Sequence, residues 1–318
     1  MKKSTYIVIL LVFSVVLVPL SQIEEVEAQS ITIYIRSDGT VEGTDKIHRE
    51  GNVYTFTDNV VNQSILVERD NVVVDGASYT LEGGHIWLEN RRNVTIKNIE
   101  ITRSDEGIRI MGNSVNNSII GNNITDIRGE FAIWIYLGAS NNTISGNIIS
   151  NNSVGIKVDM SGGTTISENY ISSNGMGIWL SGSQNRIVRN EIINNGIGVR
   201  GFIGGNFIQH NNFVNNSVTV PESLLDRNVW DDGYPSGGNY WSNYNGTDNN
   251  GDGIGDTPYI IDENNQDNYP FINSIDMETI PEFPSWTILS VLLVGIVTVS
   301  VIYRINLKKH NQGDCNVF

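Results

Sequence analysis

The feature that most constrains this chain is a repeat of 21 to 25 residues running through its middle. Ile119-x-x-Asn122-x-Ile124 recurs as Ile144-x-x-Asn147-x-Ile149, Ile166-x-x-Asn169-x-Ile171 and Ile187-x-x-Asn190-x-Ile192, and once more as Ile208-x-x-Asn211-x-Phe213. The asparagines therefore fall 25, 22, 21 and 21 residues apart. The second half of the unit keeps step in Gly107-Ile108, Ala132-Ile133, Gly155-Ile156, Gly177-Ile178 and Gly198-Val199. A fixed period of this size means stacked units rather than one closed globule.

The apolar runs within each unit are short, β-branched and alternating, as in Thr165-Ile166-Ser167. Asn-Asn, Asn-Gly and Ser-Gly pairs cut them every few residues, which favours turns and leaves no room for a helix. The Leu-x-x-Leu-x-Leu signature of a leucine-rich horseshoe is missing. The expected fold is all-β, a parallel β-helix whose coils lie about 4.8 Å apart, so that equivalent residues stack. The isoleucines form the interior. Asn122, Asn147, Asn169, Asn190 and Asn211 form a structural ladder of side-chain amides at a bend.

This repeat resembles the right-handed parallel β-helix repeats of the NosD-like family, also called carbohydrate-binding and sugar-hydrolase domains, with a pectin-lyase-like solenoid fold. The stretch Asn71-Val72-Val73-Val74-Asp75-Gly76 with Tyr79-Thr80-Leu81 resembles that family's first coil. Asn228-Val229-Trp230-Asp231-Asp232-Gly233-Tyr234-Pro235, continuing through Gly238-Asn239-Tyr240-Trp241, resembles its closing segment. The resemblance covers roughly residues 60 to 275. It implies the fold more than the function, since solenoids of this kind host lyases, hydrolases, binding proteins and scaffolds.

The ends of the chain speak to location. Lys2 and Lys3 precede an apolar run from Tyr6 to Leu20, and Val26-Glu27-Ala28 offers a cleavage site, as in an export signal over residues 1–28. Residues 286–303 are uncharged and long enough to cross a bilayer as a helix, with Arg304, Lys308 and Lys309 immediately after. The segment from Pro281 to Trp286 resembles the C-terminal anchor region of many archaeal surface proteins. The resulting organisation is an N-terminal cap with entry strands over 29–60, β-helix repeats over 61–220, a C-terminal cap over 221–279, a linker over 280–285, a membrane span and a cytoplasmic tail over 304–318. The β-helix lies outside the cell membrane, extracellular or periplasmic.

The net charge of −15 excludes a nucleic-acid partner, because phosphate binding needs basic patches. The single cysteine, Cys315, leaves no disulfide to stabilise the exported part. Asn62, Asn93, Asn116, Asn123, Asn141, Asn151, Asn215 and Asn245 each begin an Asn-x-Ser/Thr sequon, of which only those in turns are candidate glycan acceptors.

Two constellations carry possible chemistry. Asp248, Asn250, Asp252 and Asp256, with the carbonyl of Ile254, have the ligand spacing of a calcium loop, but the twelfth position is Tyr259 where a bidentate Glu belongs. The alternative is a polar turn without an ion. The aromatics that follow the repeat, Trp230, Tyr234, Tyr240, Trp241 and Tyr244, suit a cap over the last coil, or else a sugar platform.

The second constellation is a column. The residue after each small-Ile step faces outward, and down the stack it reads Trp87, Arg109, Trp134, Lys157, Trp179 and Arg200. Such a stripe either stabilises the sheet by cation–π contacts or binds an extended polysaccharide, indole faces on sugar rings and cations on acidic groups. Catalysis needs a pair of carboxylates, and Asp105, Asp126, Asp159, Glu168 and Glu191 occur singly. The family name suggests copper, but His48, His85, His210 and His310 and the methionines Met111, Met160, Met176 and Met277 form no ligand cluster in sequence. The expectation is a non-catalytic surface protein that binds polysaccharide or envelope material. A lyase or hydrolase and a NosD-like accessory protein for metalloenzyme assembly are the alternatives.

Overall fold

The computed structural model describes residues 32–201, 203–220 and 226–277. The expected export segment and the expected membrane span lie outside them. Among the described residues no helix is long and apolar enough to cross a membrane.

Each coil contributes one strand to each of three nine-stranded sheets. One coil runs through Thr165–Ser167, Tyr170–Ser172 and Met176–Ser181. Every strand of this coil pairs in parallel with its equivalent one coil away, so Ile166 meets Ile144 and Ile187, and Ile171 meets Ile149 and Ile192. The path is a right-handed parallel β-solenoid. Parallel pairing begins with Ile33–Ile35 against Ile65–Val67.

Alternation explains the core. Ile119, Ile144, Ile166, Ile187 and Ile208 form one dry column and Ile101, Ile124, Ile149, Ile171 and Ile192 another, all essentially without solvent contact. Burying each such side chain contributes about 1.5–3 kcal/mol. The Gly-Ile step has its own reason. A Cβ on Gly177 would sit 2.6 Å from the carbonyl oxygen of Gly198 on the next coil, and one on Gly155 equally close to that of Gly177. The chain bends there at backbone contact, and only Ala132 replaces glycine among the five repeats.

Among the described residues there are three asparagine ladders where one was expected. In the expected one, each Oδ1 accepts the backbone N–H and the Nδ2 of the previous rung. Asn147 donates both to Asn169 at 3.0 and 2.9 Å, and Asn169 does the same to Asn190. This ladder continues past Asn211 to Asn239. A second runs through Asn185, Asn206 and Asn228 to Asn265, and a third through Asn152, Asn174, Asn195 and Asn216. At several corners the ladder residue is the second of an Asn-Asn pair, while the first takes a left-handed turn, as at Asn116, Asn141 and Asn151 with φ of 56°, 54° and 58°. These three exposed turn residues all begin sequons.

Hairpins and aromatics close the ends. Ile47–Glu50 folds antiparallel on Val53–Phe56 at the start. At the far end Trp241 stacks on Phe213 at 4.5 Å and on Tyr259 at 4.2 Å, with Trp230 alongside, while Tyr234 stands in solvent. Two of the five aromatics expected to form the cap, Trp230 and Trp241, are thus its fully buried centre.

Candidate functional site

One face carries the outward column. Trp87, Arg109, Trp134, Lys157, Trp179 and Arg200 are direct cross-strand partners in that order. Each follows a buried Ile or Val, so strand alternation turns it outward. Leu66 and Tyr34 continue the column below Trp87. All six rungs are half-buried because they pack on one another.

The packing is mutual. The Arg109 guanidinium lies 4.9 Å from the Trp87 ring centre and 5.4 Å from that of Trp134. Lys157 Nζ lies 5.5 Å from Trp134 and 4.4 Å from Trp179, and the Arg200 guanidinium 5.6 Å from Trp179. Trp134 and Trp179 each therefore have a cation from the rung on either side. Tyr136 stacks on Trp134 at 4.0 Å, and Phe131 packs on it at 4.8 Å. Each cation–π contact contributes about 0.5–1 kcal/mol. The indole faces are thus engaged within the protein, and the Nε1 atoms of Trp87, Trp134 and Trp179 are buried as well.

Two of the cations are also paired. Arg109 is bonded to Glu106, and Lys157 Nζ lies 3.4 Å from Asp159. Their charges are neutralised on the face itself. An acidic polymer would have to compete with those carboxylates, whereas a hydroxyl-rich one would not.

The Trp87 end differs chemically from the rest. Along most of the face the ridge is flanked by an apolar column, Phe131, Val154, Met176 and Ile197, and by the Gly/Ala column. Toward Trp87 these columns give way to Glu106, His85 and Ser64. The His85 ring meets Trp87 edge-on at 4.9 Å, and its Nδ1 lies 3.2 Å from Ser64 Oγ. Burial holds the His85 pKa below the usual histidine value; Glu106 and Asp105 oppose that shift and Arg109 adds to it. Neither Glu106 nor His85 stands out by spacing. The signal for them is the break they make in two otherwise small or apolar columns.

The proposed calcium loop is closed by its own carboxylates. Asp248 accepts the N–H groups of Gly251 and Gly253 at 2.7 and 2.9 Å, and Asp252 accepts that of Ile254 at 2.9 Å. Asp256 accepts both the backbone and side-chain N–H groups of Asn249. Asn250 donates to Asp252. Among the described residues no group of three His, Cys, Asp or Glu side chains converges on a point where a metal would bind.

Comparison with known proteins fits this architecture. Residues 27–246 match the family described as Periplasmic copper-binding protein (NosD). No curated protein matches the chain. Among solved structures, DFA-IIIase from Arthrobacter chlorophenolicus A6 without its lid is similar at 14% identity and a TM-score of 0.38, over 53% of this chain and 43% of that one. Alginate lyase from Paenibacillus sp. str. FPU-7 is similar at 16% identity and a TM-score of 0.36, over 57% of this chain and 75% of that one. The chain spans about two fifths of the length of the DFA-IIIase structures. At these identities the likeness concerns the path of the chain alone.

The donors present do not match the copper of the family description. His85 Nδ1 is engaged by Ser64, His210 Nε2 lies 3.0 Å from the carbonyl oxygen of Ser236, and Met160 stands exposed. These donors do not converge, and a copper centre needs two to four that do. The described residues do not fit such a centre.

Proposed function

The chain belongs to the NosD family, and from that premise we propose that it works outside the cytoplasm as a non-catalytic binding protein for an extended, hydroxyl-rich polysaccharide, laid along the ladder face. The observation that carries this is the unbroken column from Trp87 to Arg200, six rungs in register on one open face. At about 4.8 Å per coil its five steps span about 24 Å, the length of a short oligosaccharide. The rungs hold one another in place, so a ligand does not have to order them, which favours affinity. The partly exposed indoles and the neighbouring Glu89, Tyr136, Asp159 and Ser181 offer the mix of apolar and hydroxyl-pairing groups that sugars meet in binding sites. The periplasmic family description supports a location outside the cytoplasm, as do the apolar segments at the two ends of the sequence.

The test is a glycan array probed with the purified chain and with the double variant Trp134→Ala, Trp179→Ala. Binding to neutral polysaccharides that the folded double variant loses supports the proposal. Binding that survives in the variant moves the site elsewhere, and shortening of the bound polymer replaces binding with cleavage.

A further inference from the structure

We infer that the Trp87 end of the ladder contains a subsite for a sugar hydroxyl, formed by His85, Glu106 and Arg109. The inference rests on the polysaccharide reading and adds to it the place where the ligand is anchored.

The argument begins with Ser64. Its Oγ accepts the backbone N–H of His85 at 3.3 Å and lies 3.2 Å from His85 Nδ1. With that hydroxyl as the donor, Nδ1 accepts. A ring whose Nδ1 accepts carries its proton on Nε2 when neutral. Burial favours the neutral form. His85 therefore offers one outward task, donation from Nε2, and that atom is buried with no protein partner.

Glu106 supplies the complement. It precedes Gly107, whose carbonyl oxygen receives the N–H of Ile86, so Glu106 and His85 lie on neighbouring coils. One carboxylate oxygen of Glu106 is bonded to Arg109, while Oε2 is buried without a partner. The Nε of Arg109 is likewise buried and unpartnered. Trp87 Nε1 is buried without a partner too, so the corner holds three donors and one acceptor, each uncompensated. Leaving such groups unpaired costs about 1–3 kcal/mol each, so whatever pairs them is strongly selected.

A sugar hydroxyl fits that demand. It donates one hydrogen bond, here to Glu106 Oε2, and accepts from His85 Nε2 or Arg109 Nε. A carboxylate or sulfate accepts but does not donate, and would face Glu106 in repulsion. The Glu106 and Arg109 side chains remain 23% and 18% exposed, so the corner borders solvent. The next rung beyond Trp87 is Leu66, so the polar part of the stripe ends here and the subsite sets the register of the ligand.

The experiment uses the full chain labelled with 15N-histidine and titrated with hexasaccharides from cellulose, xylan, dextran and β-1,3-glucan, with polygalacturonate as the acidic comparison. The His85 ring resonances, assigned with His85→Gln, should shift on adding a neutral hexasaccharide. Glu106→Gln and His85→Ala should each weaken binding about tenfold or more while far-UV circular dichroism stays unchanged. If the wild type binds, the double variant Trp134→Ala, Trp179→Ala fails to bind, and both corner variants bind as the wild type does, the corner holds ordered water only and the subsite is refuted while the ladder reading stands. If no probe binds the wild type, both fall together. Preference for polygalacturonate overturns the hydroxyl assignment.

Discussion

Asp267 accepts the backbone N–H of Asn239 through Oδ2 at 2.7 Å, in the place where every lower rung of that ladder offers an asparagine oxygen. The same carboxylate takes the indole N–H of Trp241 at 2.8 Å and the N–H of Tyr269 at 3.1 Å. It has no solvent contact, and burial pushes its pKa up to about 6 in spite of these three donors. A carboxyl whose folded pKa lies above its unfolded value of 3.8 stabilises the fold fully below that lower value. The contribution is lost as pH rises through about 6. Two units correspond to roughly 3 kcal/mol. Urea midpoints from pH 4 to 8 should show this loss in the wild type relative to Asp267→Asn; equal pH profiles for the two proteins would refute it.

Asn169 accepts two N–H groups from Asn147 and donates to the carbonyl oxygen of Ile144. Asn169→Ala leaves the Asn147 backbone N–H buried and unpaired, whereas Asn147 Nδ2 keeps the carbonyl oxygens of Ile119 and Ser145. At about 1–3 kcal/mol for an unsatisfied buried group, the variant should lose roughly 2 kcal/mol in chemical denaturation. A loss under about 1 kcal/mol would mean that water replaces the ladder.

Gly177 and Ala132 occupy equivalent steps of different coils but meet different neighbours. Gly177→Val places a side chain against the carbonyl oxygen of Gly198 and should destabilise by about 1–3 kcal/mol, read as a lower melting temperature. Ala132→Gly removes a tolerated methyl and should cost less, about 0.5–1 kcal/mol. Reversal of that order would disprove the close-contact account of the Gly-Ile step.

Lys157 is only 13% exposed, set between Trp134 and Trp179 with Asp159 beside it. Lys157→Met keeps the volume and removes the charge. It should cost about 1–2 kcal/mol and change tryptophan fluorescence, because both indoles lose a cation. An unchanged spectrum would show that the rungs do not touch in solution.

The Asp248 carboxylate already satisfies loop N–H groups with both oxygens. Calcium at ten times its dissociation constant would add about 1.4 kcal/mol of stability. We expect no such rise in thermal unfolding between EDTA and 10 mM calcium, whereas Asp248→Ala should open the loop and lower the transition. A calcium-dependent rise that Asp248→Ala abolishes would restore the ion.

Much of this architecture is legible from the letters because β alternation fixes which way a residue faces and the period fixes what it stacks on. Ile166 and Trp179 could be assigned inward and outward on those grounds alone, and the order of the six rungs followed. The second and third ladders were hidden because Asn141 and Asn142 carry the same letter, although one takes a left-handed turn and the other points inward. Ring tilt is also invisible in a sequence. A list of Trp, Arg and Lys does not say that the cations lie over the indole faces and cover them. Asp267 was missed because it lies in the aperiodic cap, 28 residues beyond the asparagine it meets.

The rungs Asn169, Asn190 and Asn211 are one 21-residue step apart and join through the same pair of contacts at 2.9–3.0 Å each time. Surfaces that match at every step also match when a step is taken out or put in. Deleting or duplicating 21 residues therefore changes the reach of the outer face by about 4.8 Å and leaves the asparagine contacts of the remaining coils as they were, while two such steps also keep the alternation of indole and cation. For such a chain, length is a graduated quantity, adjustable in pairs of coils without redesigning what each coil recognises.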